Sequence, residues 1–310
     1  MNHMRSRTSG KRIAAIGLLA GLLCLSACPG AVSGHASDAA AGSSTASSKL
    51  FEVSGNYIVS DAEGLVANED GSAAVGLSGV PDGFVTVTYS GNAEGARVSL
   101  TGPDGLTAPL PLTPGKEAVL SLSAGSGSYR ISVSELTQHQ DYALILSVPF
   151  EASLNDEDAP YLNPSSFVRF SADSSFAAGT AELLEASSGD PEVFTALVYD
   201  FITSNIAYDE ELVGELSIDY IPDADRTFTA RKGLCFDYAS LMAAMLRSGG
   251  VPARVVVGYF GAYMHAWTEA APNGSANGWT AYDPTLGACN PPSEVSKVLG
   301  GSSYIVKYRF

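Results

Sequence analysis

The chain has 310 residues, of which 33 are Asp or Glu and 17 are Lys or Arg, a formal net charge of −16. So acidic a surface excludes nucleic acid as a partner and leaves only a weak preference for cationic, Lys-bearing peptides. A catalytic metal draws on two or three histidines. The chain offers His3, His35, His139 and His265, the first two ahead of the folded part and His139 between predicted strands, so no metal and no other cofactor is expected.

The first residues read as an export signal. Arg5, Arg7, Lys11 and Arg12 precede an apolar run from Ile13 to Leu25 that is too short to span a membrane stably. It ends Leu25-Ser26-Ala27-Cys28, which resembles the bacterial lipobox and implies cleavage before a lipidated Cys28. Residues 1–27 are then a lipoprotein signal peptide. Residues 28–50, rich in Gly, Ala and Ser, are a flexible tether from the lipid anchor. The expected location is the outer face of the bacterial cytoplasmic membrane, at the cell surface.

Residues 51–150 read as all-β. Period-two alternation marks strands at Val85–Tyr89, Ala118–Leu122 and Tyr129–Val133, with a further strand at Tyr142–Leu146. Turn signals separate them at Pro81-Asp-Gly83, Gly102-Pro-Asp-Gly105, Pro114-Gly115 and Gly125-Ser-Gly127. This pattern predicts a small β-sandwich without a catalytic cluster, serving as a spacer or binding module.

Residues 151–310 have a different grammar. A helix is predicted over Phe176–Ala186, and Asp190 caps a second that begins with Pro191 and runs out near Asn205. Ile206–Asp209 exits as extended chain. Glu210–Asp225 reads as an acidic, irregular excursion that returns at Arg226. A third helix opens at Cys235 and stops at Gly249-Gly250. Its apolar face is Phe236, Ala239, Met242, Met245 and Leu246. Strands follow at Ala253–Tyr259, Tyr263–Glu269 and Trp279–Asp283, with Tyr304–Phe310 as an edge strand. Helices followed by an antiparallel sheet make an α+β domain.

Chemistry concentrates in this half. Backbone N–H groups at a helix start favour a thiolate, so Cys235 is placed to be a nucleophile, although a buried structural cysteine has the same signature. Antiparallel neighbours bring His265 beside Asp283, completing the parts thiol acyl chemistry requires. Cys289 offers a disulfide to Cys235, structural or regulatory, in an oxidising compartment. Tyr208 is a candidate cleft or second oxyanion residue, with core packing as the alternative. Trp267 and Trp279 are expected to pack in the core, and Asp237 to complement the dipole of the Cys235 helix.

Gly233-Leu-Cys235-Phe-Asp237-Tyr, His265-Ala-Trp267 and Trp279-Thr-Ala-Tyr-Asp283-Pro-Thr285 together resemble the transglutaminase-like superfamily, with its papain-like core. The resemblance covers roughly residues 158–310. It implies Cys235 as nucleophile, His265 as general base and acid, and Asp283 as the orienting carboxylate. Leu234 and Phe236 stand where eukaryotic cross-linking transglutaminases carry Gln and Trp, so the similarity is to the bacterial branch, with its thiol peptidases and amidases. The expected function is hydrolysis of amide bonds in a protein or peptide substrate, a cell-wall or surface protein among the candidates, in preference to amine transfer. The alternative is a surface binding protein that keeps the fold without catalysis.

Overall fold

The computed structural model of the chain describes residues 64–139, 141–213, 219–290 and 304–310. The expected signal peptide, Cys28 and the tether lie outside the described residues. No helix among the described residues is long and apolar enough to cross a membrane.

Strands come first: β1 (Leu65–Ala67), β2 (Ala73–Gly76), β3 (Phe84–Tyr89), β4 (Ala96–Thr101), β5 (Thr107–Leu112), β6 (Glu117–Ser121), β7 (Gly127–Leu136) and β8 (Tyr142–Ala152). They form two four-stranded antiparallel sheets, ordered β1-β2-β3-β6 and β5-β4-β7-β8. Alternation turns Val85, Val87 and Leu120 of one sheet, and Val98, Leu100, Ile131 and Val133 of the other, into a shared core. The sequence reading names only β3, β6, β7 and β8. β5 escapes it because Pro109 and Pro111 argue against a central strand. In the structure β5 is an edge, where proline removes no ladder donor.

The connection to the second half is pinned to β6, where Ser166 N donates to Val119 O and Val119 N donates to Ser166 Oγ, each at 2.9 Å. Helices α1 (Ala177–Ala186) and α2 (Pro191–Asn205) follow. Asp190 caps α2 as expected, its carboxylate accepting from the backbone N–H of Glu192 and Val193. The short strand β9 (Ala207–Tyr208) then leads to α3 (Glu210–Val213) and α4 (Ala224–Ala230). The expected irregular excursion is therefore partly helical. Two aspartates decide it: Asp209 Oδ1 accepts from Leu212 N, and Asp223 Oδ1 accepts from Arg226 N, each satisfying a donor at a helix start.

Strand β10 (Lys232–Gly233) pairs in parallel with β9 and delivers the chain into α5 (Cys235–Ser248). The predicted single apolar face of α5 is too narrow. Every residue of the helix except Phe236 is buried. β11 (Ala253–Phe260) and β12 (Tyr263–Ala270) cover one side of it, with α2, α4 and α6 (Pro284–Cys289) around the rest. A helix enclosed on all sides needs small residues as well as large ones, which is why Ala239, Ser240, Ala243 and Ala244 separate Leu241, Met242, Met245 and Leu246.

A third four-stranded sheet runs β13-β12-β11-β14, with β13 at Thr280–Tyr282 and β14 at Tyr304–Arg309, all antiparallel. The chain's predicted edge strand is thus on an edge. Gly258 is what lets β14 close on β11. A Cβ there would overlap the Ile305 carbonyl, and the pairing shifts register between Val257 and Gly258.

Arg247, in the last turn of α5, is 2 % exposed and ties the end of that helix to β11, to the linking segment and to the C-terminal residue. Its guanidinium donates to the carbonyls of Ala253 at 2.8 Å, Asn163 at 2.7 Å and Phe310 at 3.2 Å. Burial pushes its pKa down to about 9, so it stays charged at neutral pH. Arg247→Met removes the guanidinium donor from three carbonyls, of which that of Phe310 keeps the Val255 N–H. It is expected to lower unfolding stability by roughly 3 kcal/mol, measured by urea denaturation.

Candidate active site

The start of α5 is built by a sharp entry. Arg231 closes α4 in the left-handed conformation at φ 55°, and Leu234, the N-cap of α5, is extended at φ −95°, ψ 174°. Ala207 N donates to Arg231 O and Asp209 N to Gly233 O, so β9 holds the segment just before the cysteine. Cys235 is the first helical residue and is 7 % exposed. Its backbone N–H lies in the first turn, where no helical carbonyl is available to receive it.

Asp237 does more than complement the helix dipole. It is fully buried, and Oδ2 accepts from Leu234 N at 2.9 Å, fixing the turn that presents Cys235. Tyr220 Oη donates to both its oxygens at 2.6 Å, and Arg226 donates to Oδ1 at 3.1 Å and to Tyr220 Oη. Burial, followed by the Asp237 charge, raises the Tyr220 pKa, which keeps the phenol a donor. Gly233 is required here, since a Cβ would sit 2.7 Å from Asp237 Cβ.

His265 stands on β12 directly opposite Gly258. Its Nε2 lies 2.7 Å from Asp283 Oδ2, with the two side chains 11 % and 0 % exposed. Asp283 was expected at a strand end with Pro284 terminating the strand. It is instead the N-cap of α6, with Pro284 opening that helix, and Oδ1 accepts from Leu286 N at 3.0 Å. A third donor arrives from β14, Tyr304 Oη at 2.8 Å from Oδ2. Tyr199 Oη also reaches the Asp283 carbonyl at 3.4 Å. The His265 ring lies nearly parallel to buried Trp267, which is edge-on to Tyr304.

The electrostatics follow from this packing. Burial disfavours the imidazolium of His265, but the Asp283 charge and hydrogen bond, with a smaller contribution from the Cys235 side chain, outweigh it. The imidazole pKa is held well above its ordinary value. The Tyr304 pKa is raised by burial and then by Asp283, so this phenol too remains protonated and donating. Cys235, His265 and Phe236 share a cavity of about 80 Å3 with Phe167, Val257, Met264, Tyr308 and Phe310. Neutral imidazole can take a thiol proton, and a thiolate beside an imidazolium is the reactive form of a cysteine nucleophile.

With that geometry in view, the comparisons with known proteins are informative. Residues 179–284 match the model of the transglutaminase-like superfamily, a span that begins in α1 and ends just after Asp283. The chain carries a transglutaminase-like domain. A segment of 75 residues, 20 % of the chain, is 39 % identical to a protein-glutamine gamma-glutamyltransferase of Pseudomonas aeruginosa. The match spans 11 % of that relative's length. Among solved structures, the periplasmic domain of TgpA from Pseudomonas aeruginosa aligns at 18 % identity and TM-score 0.35, over 78 % of this chain and 99 % of that one. LapG of Legionella pneumophila aligns at 17 % identity and TM-score 0.34, over 44 % and 73 %.

The transglutaminase-like domain thus brings together Cys235, His265 and Asp283 from α5, β12 and the β13–α6 junction. Tyr208 lies on β9, paired with Gly233, and is outside the lining of the cavity at Cys235. Cys235 and Cys289 are not joined by a disulfide; Cys289 ends α6. Trp267 is buried in the core, whereas half-buried Trp279 packs edge-on to Tyr161 and beneath the Arg254 guanidinium. Sequence reasoning missed Tyr304 and the Tyr220–Arg226–Asp237 cluster. Their only sequence signal was the aromatic run of the last strand and the tyrosine before the short α4 helix. No group of three or more metal-ligating side chains occurs among the described residues.

Asp283→Asn keeps an oxygen to cap α6 but removes the charge facing His265. Burial then dominates, and the His265 titration followed by NMR should fall from its raised value to below ~6.5. A raised folded pKa stabilises the protein fully below the unfolded value of ~6.5, and that stabilisation fades as pH rises through the folded pKa. The stability gap between wild type and D283N should therefore be widest near pH ~6 and narrow on the alkaline side.

Proposed function

We propose that the chain is an exported thiol enzyme that cleaves amide bonds of a protein or peptide by acyl transfer through Cys235. The observation that carries this reading is the buried His265–Asp283 pair, at 2.7 Å, sharing one cavity with a cysteine on the first residue of α5. His265 Nε2 is committed to Asp283, which leaves Nδ1 to exchange a proton with the thiol. The Cys235 thiolate attacks the carbonyl carbon, and the Cys235 backbone N–H steadies the oxyanion. The C–N bond breaks as the imidazolium protonates the departing amine, leaving a thioester. Water then gives a proton to the imidazole as it attacks, and the C–S bond breaks to restore thiolate and imidazolium. Tyr208, held two residues before Cys235 by the β9–β10 pair, is the second oxyanion candidate. Tyr304 positions Asp283.

Hydrolysis is favoured over amine transfer because water needs no second binding site. The alternative outcome, amine transfer, draws support from the printed activity of the Pseudomonas aeruginosa relative, matched over a small part of its length. A binding protein without catalysis is a weaker reading, because it gives no reason to bury an ion pair beside a cysteine. Export and lipid anchoring rest on residues 1–28, and radiolabelled fatty acid incorporation lost in Cys28→Ala tests them.

Stoichiometric alkylation of Cys235 by iodoacetamide near pH 6 is expected, slowed by about 10²-fold or more in His265→Ala. Ordinary thiol reactivity, with an apparent pKa near 8.5, would count against the enzyme. Incubation of a Gln-donor protein with a labelled primary amine separates the outcomes. Release of ammonia or amine without incorporation marks the hydrolase.

A further inference from the structure

The cavity at Cys235 is not made by the transglutaminase-like half alone. Arg97 of β4 and Pro109, Leu110 and Pro111 of β5 line it from the sandwich side. β5 is the free edge of its sheet, and it faces β14, the free edge of the catalytic sheet. Two facing edges ordinarily pair into one sheet. Pro109 and Pro111 have no N–H to offer, so the edges stay apart and a gap opens between them beside Cys235. Arg97 crosses the rim of the gap to Asp219, 2.9 Å away, and its guanidinium lies over the Tyr142 ring.

We propose that this gap is a specificity pocket, and that the β-sandwich, through β5 and Arg97, selects the substrate residue on the acyl side of the scissile amide. The occupant is a small branched apolar side chain of the valine or leucine class. Three features define it. The lining is aromatic, aliphatic and proline, with no unpaired charge facing inward, because Arg97 and Asp219 neutralise each other at the rim. The volume of about 80 Å3 is close to half of the ~150 Å3 that holds a benzene ring, so it suits one aliphatic side chain and not a large aromatic. The amine half must leave before water enters, so an enclosed pocket serves the half that remains as thioester.

This inference rests on Cys235 being the nucleophile, and the test keeps the two claims apart. The full-length protein is titrated with peptidyl chloromethyl ketones carrying Gly, Val, Leu, Phe, Lys or Glu next to the warhead, and with a Gln-mimicking diazo-ketone peptide. Cys235 alkylation is read by mass spectrometry, with iodoacetamide as the pocket-independent control. Val and Leu probes should label at least about tenfold faster than Gly, Lys or Glu. Pro111→Trp, which fills the gap from the sandwich side, should erase that preference once each probe's rate is divided by the variant's own iodoacetamide rate. Arg97→Ala, which removes a cationic partner of Asp219 at the rim, should shift selectivity several-fold toward the Lys probe. It also supplies a reading if Pro111→Trp does not fold. His265-dependent iodoacetamide labelling with equal rates for all peptidyl probes would overturn the pocket and leave the enzyme standing. So would fastest labelling by the Gln mimic, or unaltered selectivity in both variants. Loss of the iodoacetamide signature itself would instead overturn the nucleophile.

Discussion

The Asp283 carboxylate is the point on which the rest of the site depends. It is withdrawn from solvent and receives three donors, from His265 on β12, Tyr304 on β14 and the backbone of Leu286 in α6. Three donors replace the water that a buried carboxylate has lost. Its charge and hydrogen bond offset the cost of burying a protonated His265 and hold that imidazole's pKa above its ordinary value. Each of the three donors belongs to a different element. The same contact that sets the chemistry therefore also joins the sheet to α6.

A second buried carboxylate does the equivalent work on the other side of the cleft. Asp237 binds the backbone before Cys235 and gathers Tyr220 and Arg226 onto the start of α5. Cys235 and His265 are thus each held by an anion with several donors, one at the opening of a long helix and one at the opening of a short one. At Asp283 every side-chain donor sits on a strand, an arrangement that keeps a geometry tight, whereas at Asp237 Tyr220 donates from the irregular segment before α4.

The sandwich is joined to this machinery more closely than a spacer would be. Ser166 is bonded to β6, Arg247 reaches both the linking segment and the C-terminal Phe310, and Arg309 pairs with Asp104 at 3.0 Å. The core is continuous through Phe167, Val168 and Phe170. With its prolines, β5 abuts the catalytic sheet without extending it.

By itself, the sequence determined what depends on local spacing. The cap at Asp190, the glycine stop of α5 and the β-branched run of β11 are written in consecutive residues, and each is where it was expected. The cap at Asp283 is the exception, a local signal that was missed: the same Asp-Pro pair opens α2 at Asp190-Pro191. Cys235, His265 and Asp283 were legible because each sits at an element start, on a short strand or at a strand end, within fifty or so residues of one another. What the tertiary structure alone decided are the contacts across long sequence separation. Tyr304 meets Asp283 only because Gly258 admits β14 against β11. α5 is buried all round because elements from both sides close on it, and β5 survives two prolines because no strand among the described residues pairs with its outer edge. Local propensity cannot encode these, since each depends on which surface the rest of the fold brings near.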